Sequence, residues 1–134
     1  MVFQYHGWSD ASVPAQYSIT YYEAVEKYLG RDNRDFYRLF MAPGMSHCWK
    51  GPGPNVFGGA YTPGGKFDPE HHALAALMRW VEQGKAPDQI VATKYQDDDP
   101  AKPVLRTRPL CVYPKVARWT GHGSTDNAEN FVCR

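Results

Sequence analysis

Two short turns in this 134-residue chain carry residue types suited to acid–base work: Gly7-Trp8-Ser9-Asp10 and Pro43-Gly44-Met45-Ser46-His47-Cys48. Each follows an apolar-aromatic run that reads as a strand, contains a glycine, and ends in a carboxylate or an imidazole. Where strands run parallel between helices, functional groups gather beyond the carboxyl ends of the strands. An aspartate and a histidine delivered there by neighbouring strands can meet. The carboxylate then fixes the imidazole tautomer and stabilises the imidazolium formed when the second ring nitrogen accepts a proton from a nucleophile.

The nucleophile is harder to find. Gly7-Trp8-Ser9-Asp10-Ala11 and Gly44-Met45-Ser46-His47-Cys48 both lack the final glycine of a Gly-x-Ser-x-Gly elbow. Ser9 and Ser46 also adjoin the candidate acid and base, where neighbouring side chains point apart. Ser124, in Gly121-His122-Gly123-Ser124-Thr125-Asp126, reads as a structural turn. An alternative role for Asp10 is to cap a helix opening near Val13. His6 reads as a strand-end histidine satisfied by its surroundings. His71 and His72 are adjacent in a helical first turn and face different ways, so no shared metal site is expected. Asp97-Asp98-Asp99 lacks the ligand spacing of a cation loop and reads as a solvated turn. No cofactor is expected.

These residues need a scaffold, and the pattern supplies an alternating one. Residues 2–6 read as a strand, 15–29 as a helix, 36–41 as a buried strand, 69–83 as a second helix and 89–95 as a third strand. Tyr17, Tyr21, Val25, Tyr28 and Leu29 form one helical stripe and Leu74, Leu77, Met78 and Val81 another, with Gly30 and Gly84 as stops. Asp68-Pro69-Glu70 reads as the second helix's N-cap, first-turn proline and acid. A Gly/Pro-rich loop spans 51–65, and the Pro-rich stretch 97–134 is expected to be irregular. The expected fold is α/β, with a small parallel sheet and flanking helices. Residues 1–96 form the core of a single partial domain and 97–134 an extension. So few strands leave sheet edges uncovered, so the unit is expected to be incomplete, with edges through which a homo-oligomer could form.

A formal net charge of +1 without a basic stripe argues against nucleic-acid binding. No apolar run approaches the ~20 residues that span a bilayer, and residues 1–6 lack the basic and apolar regions of a signal peptide. Cys48, Cys111 and Cys133 allow at most one internal disulfide. A bridge between Cys111 and Cys133 would contribute roughly 3 kcal/mol and leave Cys48 as the orphan, as expected if part of the protein is missing.

His6-Gly7-Trp8-Ser9-Asp10 and Phe36 to Cys48 closely resemble the acid and histidine segments of the tannase/feruloyl esterase family of α/β-hydrolases, which place the acid before the histidine. Trp80 to Asp88, Arg106 to Pro114 and Gly121 to Cys133 resemble the same family further along. The resemblance implies the C-terminal part of an α/β-hydrolase domain. Asp10 would be the acid and His47 the base of a Ser-His-Asp triad in a carboxylic ester hydrolase. Cys48 would be half of a disulfide to a cysteine beside the serine, and Cys111 and Cys133 the C-terminal disulfide pair. The serine, the oxyanion hole and the lid lie upstream in the family, so the chain alone is expected to be weakly active or inactive. Phenolic-acid esters are the implied substrates, with Trp8 and Trp49 flanking the site. The disulfides imply an oxidising setting, secreted or periplasmic for the complete protein. Two other outcomes are open: a truncated self-associating binding or structural module, or a minimal esterase using Ser9 or Ser46.

Overall fold

The computed structural model describes residues 1–59, 61 and 64–134. Part of the predicted 51–65 loop, at Ala60, Thr62 and Pro63, lies outside the described residues. Strands β1 (Val2–Gly7) and β2 (Tyr37–Ala42) pair in parallel, from Val2 opposite Tyr37 to Gly7 opposite Ala42. Helix α1 (Gln16–Leu29) joins them. Side chains alternate across β2. Tyr37, Leu39 and Met41 meet Ile19 and Tyr22 of α1, while Phe40 and Ala42 join Ala73, Ala76, Ile90 and Leu110 on the other face. A strand covered on both faces explains why its sequence is an apolar run rather than an alternation.

Helix α2 (Ala73–Gln83) covers the opposite face. It begins four residues later than predicted because Asp68 closes a turn of its own. The Asp68 carboxylate accepts the Glu70 and His71 amides at 2.8 and 3.0 Å, and extended His72 occupies the N-cap position. Both helices stop at the predicted glycines, Gly30 and Gly84, each with a left-handed backbone. Most of each apolar stripe faces outward. Tyr17, Tyr21 and Tyr28 on α1, and Leu74, Met78 and Val81 on α2, are exposed; Ser18, Ile19 and Tyr22, and Ala73, Ala76 and Trp80, are buried. Small residues let α2 approach the sheet closely, and polar β1 residues on the α1 side need a small hydroxyl opposite them.

The predicted third strand is β3 (Gln89–Tyr95), but its partner is antiparallel: β4 (Val104–Cys111), with Gln89 opposite Cys111. The 97–134 stretch is therefore not irregular. It holds β4 and an antiparallel pair, β5 (Ala117–Trp119) with β6 (Phe131–Cys133). Pro109 is tolerated in β4 because it faces Val91, whose own amide turns away to the Glu70 carbonyl at 2.8 Å, so no ladder bond is lost. The end of β4 reaches β2 through a bridge between Val112 and Phe40, and the Tyr113 amide donates to the Leu39 carbonyl at 2.8 Å. A disulfide joins Cys111 to Cys133. Among the described residues β1 pairs with no strand but β2.

Candidate active site

The turns after β1 and β2 are locked together backbone to backbone. Trp8 N–H donates to Ala42 C=O at 3.0 Å, and Ser9 N–H to Met45 C=O at 3.0 Å. A β-carbon on Gly7 would lie 2.2 Å from the Met45 carbonyl oxygen, so only glycine permits this approach. Gly44 combines φ +73° with a β-carbon position 2.7 Å from Gly53 N, which brings the two limbs of the His47 loop together.

Asp10 stands at the junction, its side chain 2% exposed. One carboxylate oxygen, Oδ1, accepts the Ser12 and Val13 amides at 2.8 and 2.9 Å. The other, Oδ2, lies 2.7 Å from His47 Nδ1. Asp10 thus caps a local turn with one oxygen and meets the imidazole with the other; the α1 N-cap is Ala15. Burial pushes the carboxyl up, but the Val13 amide, the His47 contact and the Ser12 amide together outweigh it, holding Asp10 well below the usual carboxylate range. A carboxylate at Nδ1 requires Nδ1–H on His47. Nε2 makes no hydrogen bond among the described residues, and the ring is 54% exposed. This arrangement can accept a proton at Nε2 and stabilise the resulting imidazolium.

Left-handed backbone and a half-buried ion pair shape the His47 loop. Cys48 (φ 63°) and Lys50 (φ 57°) adopt left-handed backbone, a costly conformation for side-chain-bearing residues that concentrates at functional sites. From β3, Lys94 donates to the Gly51 carbonyl at 2.6 Å and pairs with Asp98, which Asn55 also contacts at 2.7 Å. Asp98 is therefore an anchor for this loop rather than part of a solvated turn. Lys94 gave no motif by which sequence could have found it.

Cys48 is a free thiol, pushed up by burial and by the Asp10 charge, which disfavours a nucleophilic thiolate. No hydroxyl among the described residues hydrogen-bonds to His47. Ser9 and Ser46 lie in the two turns, while Ser124 Oγ accepts the Asp126 amide at 3.1 Å in a separate turn. Trp8 and Trp49 are half-exposed, and Lys50 Nζ sits 4.0 Å above the Trp49 ring. A cavity of about 110 Å³ borders Asp10, His47, Cys48 and Met45 without touching either tryptophan. Ligand sites usually enclose about 300–1,000 Å³, so these residues do not form an acyl pocket by themselves. His71 lies 2.9 Å from Asp68, whose other oxygen is held by Lys66 at 2.9 Å, and His72 packs edge-on to Phe67. His6, read as a strand-end residue, contacts Asp10 Oδ2 at 3.2 Å. Its signal was the four-residue spacing across the glycine in His6-Gly7-Trp8-Ser9-Asp10.

A parallel strand pair with helices on both faces, and an Asp–His contact beyond the strand ends, are features of the C-terminal part of an α/β-hydrolase fold. Residues 1–134 match the family model for tannase and feruloyl esterase, and the chain belongs to that family. It is 49% identical over 96% of its length to an uncharacterised esterase of Xanthomonas campestris pv. campestris, covering 25% of that protein. It is 40% identical, again over 96%, to a mono(2-hydroxyethyl) terephthalate hydrolase of Piscinibacter sakaiensis, covering 19% of it. The crystal structure of feruloyl esterase B from Aspergillus oryzae superposes with a TM-score of 0.85 at 34% identity, over 97% of this chain and 26% of that one. The chain therefore spans about a quarter of the length of the relatives it matches.

Proposed function

We propose that residues 1–134 supply the acid and base of a carboxylic ester hydrolase, with Asp10 and His47 as two members of a Ser-His-Asp triad. The observation that carries this reading is the 2.7 Å contact between Asp10 Oδ2 and His47 Nδ1, with Nε2 left open. His47 takes the proton of a serine as it attacks the ester carbonyl, and returns it to the departing alcohol; Asp10 steadies the imidazolium between these steps. The serine and its oxyanion hole belong to polypeptide outside these residues, and Cys48 pairs with a cysteine there. The coverage of between about a fifth and a quarter of each relative supports this division. Esters of aromatic acids are the proposed substrates, since terephthalate and ferulate esters name two of the relatives. The Cys111–Cys133 disulfide favours an oxidising compartment. The test is turnover of methyl ferulate by the full-length polypeptide with and without His47→Ala. A variant within tenfold of the parent ends the proposal.

A second reading is self-association of the 134-residue chain. The exposed Leu74, Met78 and Val81 stripe, and the β1 edge, favour it. Light scattering with and without reductant decides: a compact monomer under both conditions excludes it.

A further inference from the structure

The second histidine beside Asp10 lies at one end of a partly buried chain of polar side chains on the α1 side of the sheet. His6 Nε2 faces two acceptors, Asp10 Oδ2 at 3.2 Å and the Val13 carbonyl at 3.1 Å, so it must carry hydrogen. His6 Nδ1 lies 2.6 Å from Ser18 Oγ. Ser18 is itself held from further away. The Tyr37 hydroxyl donates to Gln4 Oε1, which fixes the Gln4 amide so that Nε2–H points at Ser18 Oγ, 2.8 Å away. Ser18 Oγ accepts from Gln4 and keeps an O–H and a second lone pair with which to meet His6 Nδ1. Burial pushes the Tyr37 phenol up, so it stays a donor. The His6 side chain is 12% exposed and Ser18 is buried, so water does not compete freely for these groups.

We infer that His6 is a positioning residue for the triad acid: Ser18, itself held by Gln4 and Tyr37, anchors Nδ1 so that Nε2–H supplies Asp10 Oδ2 with a second donor. The consequence is geometric. With a donor on each side, the carboxylate stays aimed at His47, where positive charge develops during acyl transfer. The titratable groups placed around Asp10 are His6 from β1 and His47 and Cys48 from the loop after β2; α1 contributes Ser18. This inference rests on the reading of Asp10 and His47 as acid and base.

Ring ¹⁵N shifts and ring N–H exchange in the ¹⁵N-histidine-labelled 134-residue chain test it without any assay of esterase activity. The expected result is a hydrogen on His6 Nε2, slow to exchange with solvent, with faster exchange in Ser18→Ala and slow exchange again in Ser18→Thr. A His6 with no hydrogen on Nε2 in the unmodified chain overturns the inference, and that measurement needs no variant to fold. In the full-length enzyme, His6→Leu should lower kcat by about 10–100-fold with KM little changed, and His6→Gln, which keeps a donor near the Nε2 position, should recover most of it. An equal loss in both variants, or a loss confined to KM, also overturns it. Should His47→Ala leave turnover intact while His6 shows the expected Nε2 hydrogen, the functional reading fails and the hydrogen-bond chain stands.

Discussion

The parallel β1–β2 pair and the antiparallel strands after it are built to different ends. Around β1 and β2 the sequence accepts costs: backbone approaches only glycine allows at Gly7, left-handed Cys48 and Lys50, and buried Ser18 with half-buried Gln4 and His6, which must all find partners. The later strands carry theirs in the turn between β3 and β4, where Asp97 and Asp98 are left-handed. Ile90, Ala92 and Leu110 fill the core, eight residues of β4 run against β3, and Cys111–Cys133 ties β4 to β6. One half holds a geometry and the other buttresses it. The halves meet where Lys94 of β3 grips the Gly51 carbonyl of the His47 loop.

The largest effect should come from the site half and leave the fold alone. His47→Ala in the full-length enzyme should reduce kcat by about 10⁴-fold while shifting the thermal midpoint by no more than about 2 °C, because the ring is 54% exposed. A large stability loss here would dissolve the division between the halves. Cys111→Ser with Cys133→Ser should do the converse. Urea unfolding of the chain should record a loss of about 3 kcal/mol, with the Asp10–His47 contact, read as its downfield Nδ1 proton resonance, unchanged.

Variants at the seam have intermediate effects. Gly7→Ala drives a β-carbon toward the Met45 carbonyl at 2.2 Å; backbone must move, at a cost of about 1–3 kcal/mol. Activity should fall further than that stability loss explains, since the same carbonyl holds the Ser9 amide next to Asp10. Lys94→Met leaves Asp98 without its cation and the Gly51 carbonyl without its donor, costing about 1–3 kcal/mol. Faster hydrogen exchange confined to residues 46–53 would mark Lys94 as the tie between the halves; a uniform increase would make it a general core contact.

The same division governs what the sequence disclosed. Asp10 and His47 were legible because residue type, glycine turns and strand order converge on them, and β1, α1, β2 and β3 because their apolar periods are short and strong. The helix faces were not. A 3.6-residue period fixes a stripe but not which neighbouring stripe turns inward, and large side chains outnumber the alanines that α2 in fact buries. Pro109 hid β4, because its harmlessness depends on where the Val91 amide points, a fact of pairing rather than composition. His6 was hidden by the turn at Gly7: a strand extends side chains apart, and only reversal of the chain brings residues four apart onto one carboxylate oxygen.

The smallest effect separates the two roles of Asp10 itself. Its folded carboxyl is held below the ordinary range, against the push of burial, by the Val13 amide, His47 and the Ser12 amide. A carboxyl depressed in the folded state contributes stability that is fully present above the unfolded value of about 3.9 and is lost as pH falls through the folded one. Stability should therefore decline with acid below about pH 4, while the Asp10–His47 contact contributes fully at neutrality. Asp10→Asn removes that dependence. The difference between thermal midpoints at pH 7 and pH 3 should shrink by about 3 °C, chiefly because the pH 7 midpoint falls. Asp68, depressed by Lys66, His71 and the Glu70 amide against the same push of burial, provides the contrast, since it is shifted in the same direction by partners other than His47. Asp68→Asn should flatten the acid limb similarly and leave kcat within about twofold. Equal kinetic losses in the two variants would mean that Asp10 acts on the fold, and not on His47.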